Sequence, residues 1–228
     1  MDLAQAILWI SVISLFAVAG AWYAKRFNRY DALLALFVSL VLISNLVASK
    51  ILEFDFGFVT LFAPGAALIF SVTFLLTDIV NEKFGRKETV RMIVLAFFAQ
   101  LALIIFSYLI LIAPAAPFFT GQAAFETVFS VAPRIALAGL VTFLITETLD
   151  AYLFAWFKKV TDGKHLWMRN AFSSLPAMAI DSIIFVTLAF YGTMPILPLI
   201  LGLIVIKWLV GIIDIPFMYV SRWVMERK

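Results

Sequence analysis

The stretch Thr142-Phe-Leu-Ile-Thr-Glu-Thr-Leu-Asp150 places two carboxylates inside a segment that is otherwise apolar enough to cross a membrane. Glu147 and Asp150 are three residues apart, so on a helix they share one face. A charged side chain in hydrocarbon costs roughly 2.5–3.5 kcal/mol even on insertion scales, so such groups are expected to face a partner, a cavity or a ligand. The stretch therefore predicts a polar site within a helical membrane protein.

The composition of the whole chain agrees with this. Of the 228 residues, 64% are hydrophobic and 14% are charged, and the mean hydropathy of +1.08 lies far from that of soluble domains. No polar run is long enough to form a soluble domain, so we expect one membrane domain over residues 1–228. Cysteine is absent, which excludes disulfides and cysteine metal sites. The net charge of +3 is explained by membrane orientation and head-group contact, so no nucleic-acid partner is expected.

The spacing of charged residues predicts the number of spans. A transmembrane helix needs about 20 apolar residues, and seven segments satisfy this. We therefore expect an all-α, polytopic bundle of about seven helices in the cell membrane, with an outer loop around Gly121. The predicted helices cover residues 3–24, 32–51, 58–80, 89–113, 134–157, 170–191 and 196–225.

The distribution of basic residues predicts the orientation. All but three of the 17 lysines and arginines fall in the loops of one side or at the C-terminal end. Under the positive-inside rule the N-terminus is outside and the C-terminus is cytoplasmic. The three exceptions are Lys50, Arg134 and Lys207.

Two of the buried charges are expected to meet. Asp181 and Lys207 each lie near the middle of neighbouring antiparallel helices, which predicts an ion pair at mid-bilayer. The pair is either a structural salt bridge or part of a ligand-binding or proton-coupled site, and we favour the second. Asp214 follows Lys207 by one heptad, with Gly211 between them, so the three share a face.

Four further polar residues each have two interpretations, a ligand contact or a structural role. Glu147 lies deeper than Asp150, which is within reach of interfacial lysines, so Glu147 is favoured as the ligand contact. Asn45 either binds a ligand or hydrogen-bonds between helices. Arg134 either anchors the outer interface, which we favour slightly, or attracts anionic ligands.

A short internal echo links two helices. Thr73–Asp78 reads TFLLTD and Thr142–Glu147 reads TFLITE. Both helices are predicted to run from outside to inside, so they would be parallel rather than inverted. Whether the echo is a true repeat or chance stays open.

The run around residues 77–91 predicts a cytoplasmic charge latch that stabilises one conformation. Asp78, Glu82 and Arg86 follow at spacings of four, which favours acid-to-base pairs on a helix, and Arg91 follows. Gly85 permits a tight turn into the next helix. The alternative is a solvated helix hairpin.

Signatures of enzymes are absent from the sequence. It contains no H-E-x-x-H, G-x-S-x-G or P-loop pattern, and its single histidine, His165, lies in a basic loop. We therefore expect no enzymatic activity, no metal site and no cofactor. An intramembrane aspartate-based hydrolase is the one enzyme class that motifs alone leave open.

In the order and spacing of its polar residues, the chain resembles the queuosine-precursor or vitamin-uptake transporter family. The matching residues are Ser44-Asn45, Pro64, Thr77-Asp78, Glu82, Gly85, Arg91, Arg134, Asp150, Trp167, Arg169-Asn170, Ser173-Ser174, Asp181-Ser182, Phe185, Phe190, Gly192, Lys207 and Pro216. The resemblance implies a six-helix core over residues 29–228, to which residues 1–28 add one helix and a loop. Where the family pattern has glutamine three residues before each aspartate, this chain has Glu147 and Met178.

The resemblance also implies inward transport of 7-deazaguanine bases. A carboxylate can accept the adjacent N–H groups of a guanine-like edge, and Lys or Asn suits its oxo group. We expect Asn45, Glu147, Asp150, Asp181 and Lys207 around the substrate, with Glu147 or Asp181 as the acceptor. The alternative is a substrate-binding subunit of an energy-coupling-factor vitamin importer. A homodimer in the lipid bilayer stays open.

Overall fold

The computed structural model describes residues 2–48, 50–57, 59–129 and 133–226, which form a helical bundle. In these ranges seven long helices are joined by one short helix and one two-stranded hairpin. The elements are α1 (Leu3–Phe27), α2 (Asp31–Val47), β1 (Ile51–Asp55), β2 (Thr60–Pro64), α3 (Ala66–Phe84), α4 (Arg86–Leu111), α5 (Gln122–Phe129), α6 (Pro133–Val160), α7 (Leu166–Phe190) and α8 (Ile196–Glu226).

The predicted all-α polytopic class is confirmed. Five of the described helices, α1, α4, α6, α7 and α8, are long and apolar enough to cross a membrane. Two other long helices are not among these five: α2 has only 17 residues, and α3 carries many of the buried polar groups. The orientation of the termini stays a prediction.

The hairpin corrects two predicted helix boundaries. The sequence predicts helices over 32–51 and 58–80, but α2 ends at Val47 and α3 begins only at Ala66. Between them β1 and β2 pair antiparallel, from Ile51 opposite Pro64 to Asp55 opposite Thr60. The connecting turn contains Gly57 at a φ of 80°, a conformation that glycine adopts without strain. Hydropathy alone does not separate a short apolar strand from a helical segment, which explains the error.

The hairpin packs closely on α8. A Cβ atom at Gly202 would collide with the backbone carbonyl oxygen of Phe62 in β2, so only glycine permits this approach. Phe54 and Ala63 of the hairpin are completely buried. The hairpin is therefore part of the packed bundle.

The predicted outer loop around Gly121 is also partly helical. Residues Gln122–Phe129 form α5, a helix that the sequence pattern does not predict. With eight residues it is too short to cross a membrane.

The helices α3 and α6 lie side by side at the centre of the bundle. Thr73 of α3 contacts Glu147 of α6, and Asn81, two turns later, donates to the carbonyl oxygen of Ala151 at 2.8 Å. The contacts advance in the same direction along both helices, so the helices are parallel. The echoed segments thus meet, but whether they form a repeat stays a prediction.

The helix α1 packs on the bundle through small residues. Ala17, Ala21 and Ala24 are completely buried, and Lys83 of α3 donates to the carbonyl oxygen of Ala24 at 2.8 Å. The division into an added helix over residues 1–28 and a core over 29–228 stays a prediction.

The outer surface of the bundle is apolar. On α4, Leu95, Phe98 and Phe106 are 49%, 58% and 63% exposed. Large contiguous apolar surface is rare on soluble monomers and is expected where helices face lipid tails.

Candidate functional site

A cavity lies beside the hairpin, next to the first turns of α3. The cavity and its open mouth together contain about 480 Å³ of empty space. Its polar lining consists of Ser44 and Asn45 from α2, Gln100 from α4, Thr142 from α6, Asp181 from α7 and Lys207 from α8.

Three of the predicted site residues meet at this cavity, namely Asn45, Asp181 and Lys207. They come from three different helices, so their meeting depends on the packing of the bundle. Two phenylalanines, Phe70 and Phe185, add aromatic surface to the lining.

The amide of Asn45 determines the orientation of Gln100. Asn45 Nδ2 donates to the carbonyl oxygen of Val41 and to Gln100 Oε1, each at 3.0 Å. A backbone carbonyl only accepts, so Asn45 must present its NH₂ group there, and Gln100 must turn its oxygen toward that group. Gln100 Nε2 consequently has no acceptor among the described residues.

Gln100 is not among the site residues that the sequence pattern predicts. Its signal is an amide within the strongly apolar helix α4, which is the same signal that identified Asn45 in α2. Gln100 is 3% exposed, so its amide is nearly as buried as the predicted charges.

The cavity presents three hydrogen-bonding groups without a partner. Ser44 Oγ, Gln100 Nε2 and Thr142 Oγ1 are buried and have no hydrogen bond within the part of the chain that the structure describes. All three residues line the cavity. Buried polar groups in folded proteins nearly always have a hydrogen-bond partner. Three such groups without one around a single cavity therefore indicate a place for a polar ligand.

Asp181 and Lys207 form the predicted ion pair. Their side chains are 5% and 3% exposed, and Lys207 Nζ donates to Asp181 Oδ2. The other oxygen of Asp181 accepts from Thr146 Oγ1 at 3.1 Å. Lys207 Nζ also lies 4.9 Å from the centre of the Phe70 ring, which is a cation–π contact.

Glu147 lies outside the lining of this cavity. Its carboxyl contacts α3, with Oε1 2.6 Å from Thr73 Oγ1 and Oε2 3.4 Å from Thr77 Oγ1. Thr142 and Thr146 share a face that turns toward the cavity and α7, whereas Glu147 is five residues after Thr142 and so about 140° round the helix. The sequence alone does not show which of these faces meets the cavity.

Asp150 lies in a buried cluster further along α6. Asp150 Oδ1 accepts from Ser174 Oγ at 3.0 Å, and the same hydroxyl lies 3.3 Å from Asp78 Oδ2. Asp78 also accepts a hydrogen bond from Asn170. This cluster joins α3, α6 and α7 outside the cavity lining.

The four predicted latch residues have different partners from those expected. Glu82 pairs with Arg169 at 2.8 Å and Lys158 at 3.0 Å, and Arg222 lies 3.8 Å away. These cations come from α7, α6 and α8, so Glu82 joins four helices.

The pairs along one helix are not formed because Gly85 separates the two helices. At a φ of 85° it ends α3 and precedes α4, so Glu82 and Arg86 are not on one continuous helix. Arg86 instead lies over the ring of Tyr152 at 4.3 Å, and Arg91 pairs with Glu88.

Asp214 faces away from Lys207 toward α1. Its Oδ1 accepts from Ser14 Oγ at 2.6 Å, and it is buried. Gly211 faces Leu175 and Met178 of α7. The expected shared face of Lys207 and Asp214 is therefore divided between the cavity and the contact with α1. The side chain of Arg134 lies outside the described residues, and so do Arg227 and Lys228.

Within the described ranges, His, Asp and Glu side chains do not come together in a group of three that could ligate a metal ion.

Comparison with known proteins identifies the family. The family model described as "Putative vitamin uptake transporter" matches residues 64–221. A Bacillus subtilis (strain 168) protein named "Probable queuosine precursor transporter" is 30% identical over 159 residues, which cover 68% of this chain and 69% of that protein. No solved structure matches the chain. The chain therefore belongs to the vitamin uptake transporter family, and it is a multi-pass transporter of the cell membrane and not an enzyme.

Proposed function

We propose that this transporter carries a purine-like 7-deazaguanine base inward and binds it in the cavity beside the hairpin. One observation carries the proposal. Three polar atoms around one cavity have no hydrogen-bond partner among the described residues, namely Ser44 Oγ, Gln100 Nε2 and Thr142 Oγ1. The name of the Bacillus subtilis relative supports a queuosine precursor as the substrate.

The chemistry of the vacant groups suits a guanine-like edge. Gln100 Nε2 is a donor and can bind the oxo group of the base. Asn45 Oδ1 lies 3.7 Å from the position of a Cβ atom added at Gly139, so it faces the cavity wall as an acceptor. Two hydroxyls, from Ser44 and Thr142, can either donate or accept.

Asp181 retains the capacity to accept from the base. Each carboxylate oxygen has two acceptor positions, and Thr146 and Lys207 use one on each oxygen. The rings of Phe70 and Phe185 offer faces or edges to a flat heterocycle. The ion pair therefore lines the cavity with two charged groups whose charges cancel.

Neither Glu147 nor Asp150 lines this cavity. The substrate contact predicted for them stays a prediction. We infer instead that they support the packing of α3, α6 and α7 next to the binding site.

The latch also stays a proposal, with different partners. Glu82 with Arg169, Lys158 and Arg222 would hold four helices together at the C-terminal end of α3, whereas the cavity lies at the N-terminal end. Such a pairing closes one end of the bundle while the binding site is accessible from the other.

The proposal is tested by binding and exchange of tritiated 7-deazaguanine with the purified protein in liposomes. Gln100→Leu removes the free donor at nearly constant volume and should abolish binding. Gln122→Leu makes the same change on α5, outside the cavity, and should leave binding unchanged.

The outcomes separate the alternatives. Binding by the wild type but not by Gln100→Leu supports the proposal, and equal binding by both refutes the role of the cavity. Binding without any transport by the chain alone, together with co-purification of coupling subunits, would favour the energy-coupling-factor alternative. Absence of binding would refute the substrate class. A homodimer stays a prediction that the molar mass in detergent would test.

A further inference from the structure

In the buried cluster of Asp78, Ser174 and Asp150, two close oxygen–oxygen contacts share a single hydroxyl hydrogen. Ser174 has one hydroxyl hydrogen, but its oxygen lies 3.3 Å from Asp78 Oδ2 and 3.0 Å from Asp150 Oδ1. The hydroxyl can donate to only one of these oxygens. If both carboxyls were ionised, lone pairs would face each other in the second contact.

Each carboxyl of the pair also has an oxygen without a partner. Asp78 Oδ1 and Asp150 Oδ2 are buried and accept no hydrogen bond from the described residues. Both side chains are completely buried. An ionised carboxylate with an unsatisfied oxygen in an apolar interior is very unfavourable, whereas a protonated carboxyl is much less so.

No cation neutralises the pair within the described part of the chain. The nearby charged groups are already engaged with one another: Lys207 with Asp181, and Arg169, Lys158 and Arg222 with Glu82. Asp214 contacts Ser14, and Glu147 adds a further acid one helical turn from Asp150. Every remaining group that faces the pair is thus either neutral or acidic.

Glu147 shows the same lack of a hydrogen atom. Thr73 Oγ1 lies 2.5 Å from the carbonyl oxygen of Phe70 and 2.6 Å from Glu147 Oε1. The hydroxyl has one hydrogen for two acceptors, so a proton on Glu147 would complete the contact. The need for added protons therefore extends along one face of α6.

We propose that Asp78 and Asp150 share an exchangeable proton through Ser174, and that this proton moves inward together with the substrate. With the shared proton on Asp78, Asp78 donates to Ser174 Oγ, and Ser174 donates to Asp150. The proton enters on one carboxyl and leaves from the pair when the cytoplasmic end opens, so no other bond is made or broken.

The cluster and the cavity use the same two helices, which provides the coupling. Asp150 and Ser174 lie on α6 and α7, and these helices also carry Thr146 and Asp181, which join each other at the cavity. A rearrangement of α6 against α7 that releases the substrate also changes the contacts of the proton.

The experiment measures uptake of tritiated 7-deazaguanine into liposomes with and without a pH gradient that is acidic on the side of entry. One pH unit carries the free energy of a tenfold concentration ratio, so coupling to one proton gives about tenfold accumulation of a neutral substrate. Asp150→Asn and Asp78→Asn should each reduce accumulation to about the equilibrium level, while exchange without a gradient continues. Asp214→Asn, which changes a buried carboxyl at the contact with α1, should accumulate like the wild type. Gradient-driven accumulation by both cluster variants would overturn the proposal.

The transport part of this inference rests on the proposed substrate, so a second measurement needs none. Raising the pH should lower the thermal unfolding midpoint of the wild type, because the folded protein holds a proton that it then loses. Asp150→Asn supplies an amide hydrogen in place of that proton and should reduce this fall, whereas Asp55→Asn, at an exposed position of the hairpin, should not. An equal pH dependence in the wild type and Asp150→Asn, or stabilisation of the wild type by sodium but not by choline, would overturn the proton site. Failure of 7-deazaguanine binding with the expected pH dependence would refute the proposed substrate alone.

Discussion

Replacing Lys207 by Met should destabilise the protein by about 3–5 kcal/mol, the usual range for removing one partner of a buried ion pair. The side chains of Lys207 and Asp181 are 3% and 5% exposed, so water does not replace the lost partner. Asp181 keeps its hydrogen bond from Thr146, which favours the lower end of this range. The folding equilibrium would shift by roughly 10²- to 10⁴-fold. Met preserves the apolar stem of the side chain, so the loss is mainly electrostatic.

The double variant Lys207→Met with Asp181→Leu removes both charges and should recover most of this stability, since apolar replacement of a buried pair is often neutral or stabilising. Reversible unfolding in mixed micelles measures both variants, and Lys159→Met at an exposed position is the matched control. A loss below about 1 kcal/mol for Lys207→Met, the usual range for exposed pairs, would refute the reasoning.

The same pair of variants decides between the two interpretations of the ion pair. If the double variant is folded but does not bind 7-deazaguanine, the pair takes part in recognition. If it is folded and binds normally, the pair is a structural salt bridge.

Three further changes test the cavity, the hairpin and the latch. Gly139→Ala places its Cβ at ordinary contact distances and should preserve the thermal midpoint, whereas Gly139→Leu should fill the cavity and abolish ligand binding; binding by the Leu variant would contradict the cavity as the site. Gly202→Ala should lower stability by about 1–3 kcal/mol in the unfolding assay, because its methyl group meets the backbone of Phe62; an unchanged midpoint would show that the hairpin moves freely. Arg169→Lys keeps the charge but loses the two-fold contact with Glu82, so a smaller destabilisation than for Arg169→Leu is expected; equal losses would exclude a charge contribution.

The five long spans could be predicted because hydrocarbon selects long apolar segments, which are interrupted only at charges. The Asp181–Lys207 pair could be predicted for a related reason, since a lone charge at mid-bilayer requires a partner and only one opposite charge was near in depth. The hairpin could not, because Glu53 and Asp55 make Ile51–Asp55 resemble a polar loop between two spans, and the strands become recognisable only by their pairing.

The candidate site also has features that the sequence predicts and features that only the tertiary structure shows. The sequence by itself determined that this is a polytopic membrane protein with buried acids, because the transfer of each residue from water to lipid depends mainly on that residue. Only the tertiary structure decided that Gln100 faces the cavity while Glu147 faces α3, and that Asp78 meets Asp150. Those contacts depend on how each helix is rotated about its axis. That rotation is set by the packing of many neighbouring side chains at once, and not by any one segment.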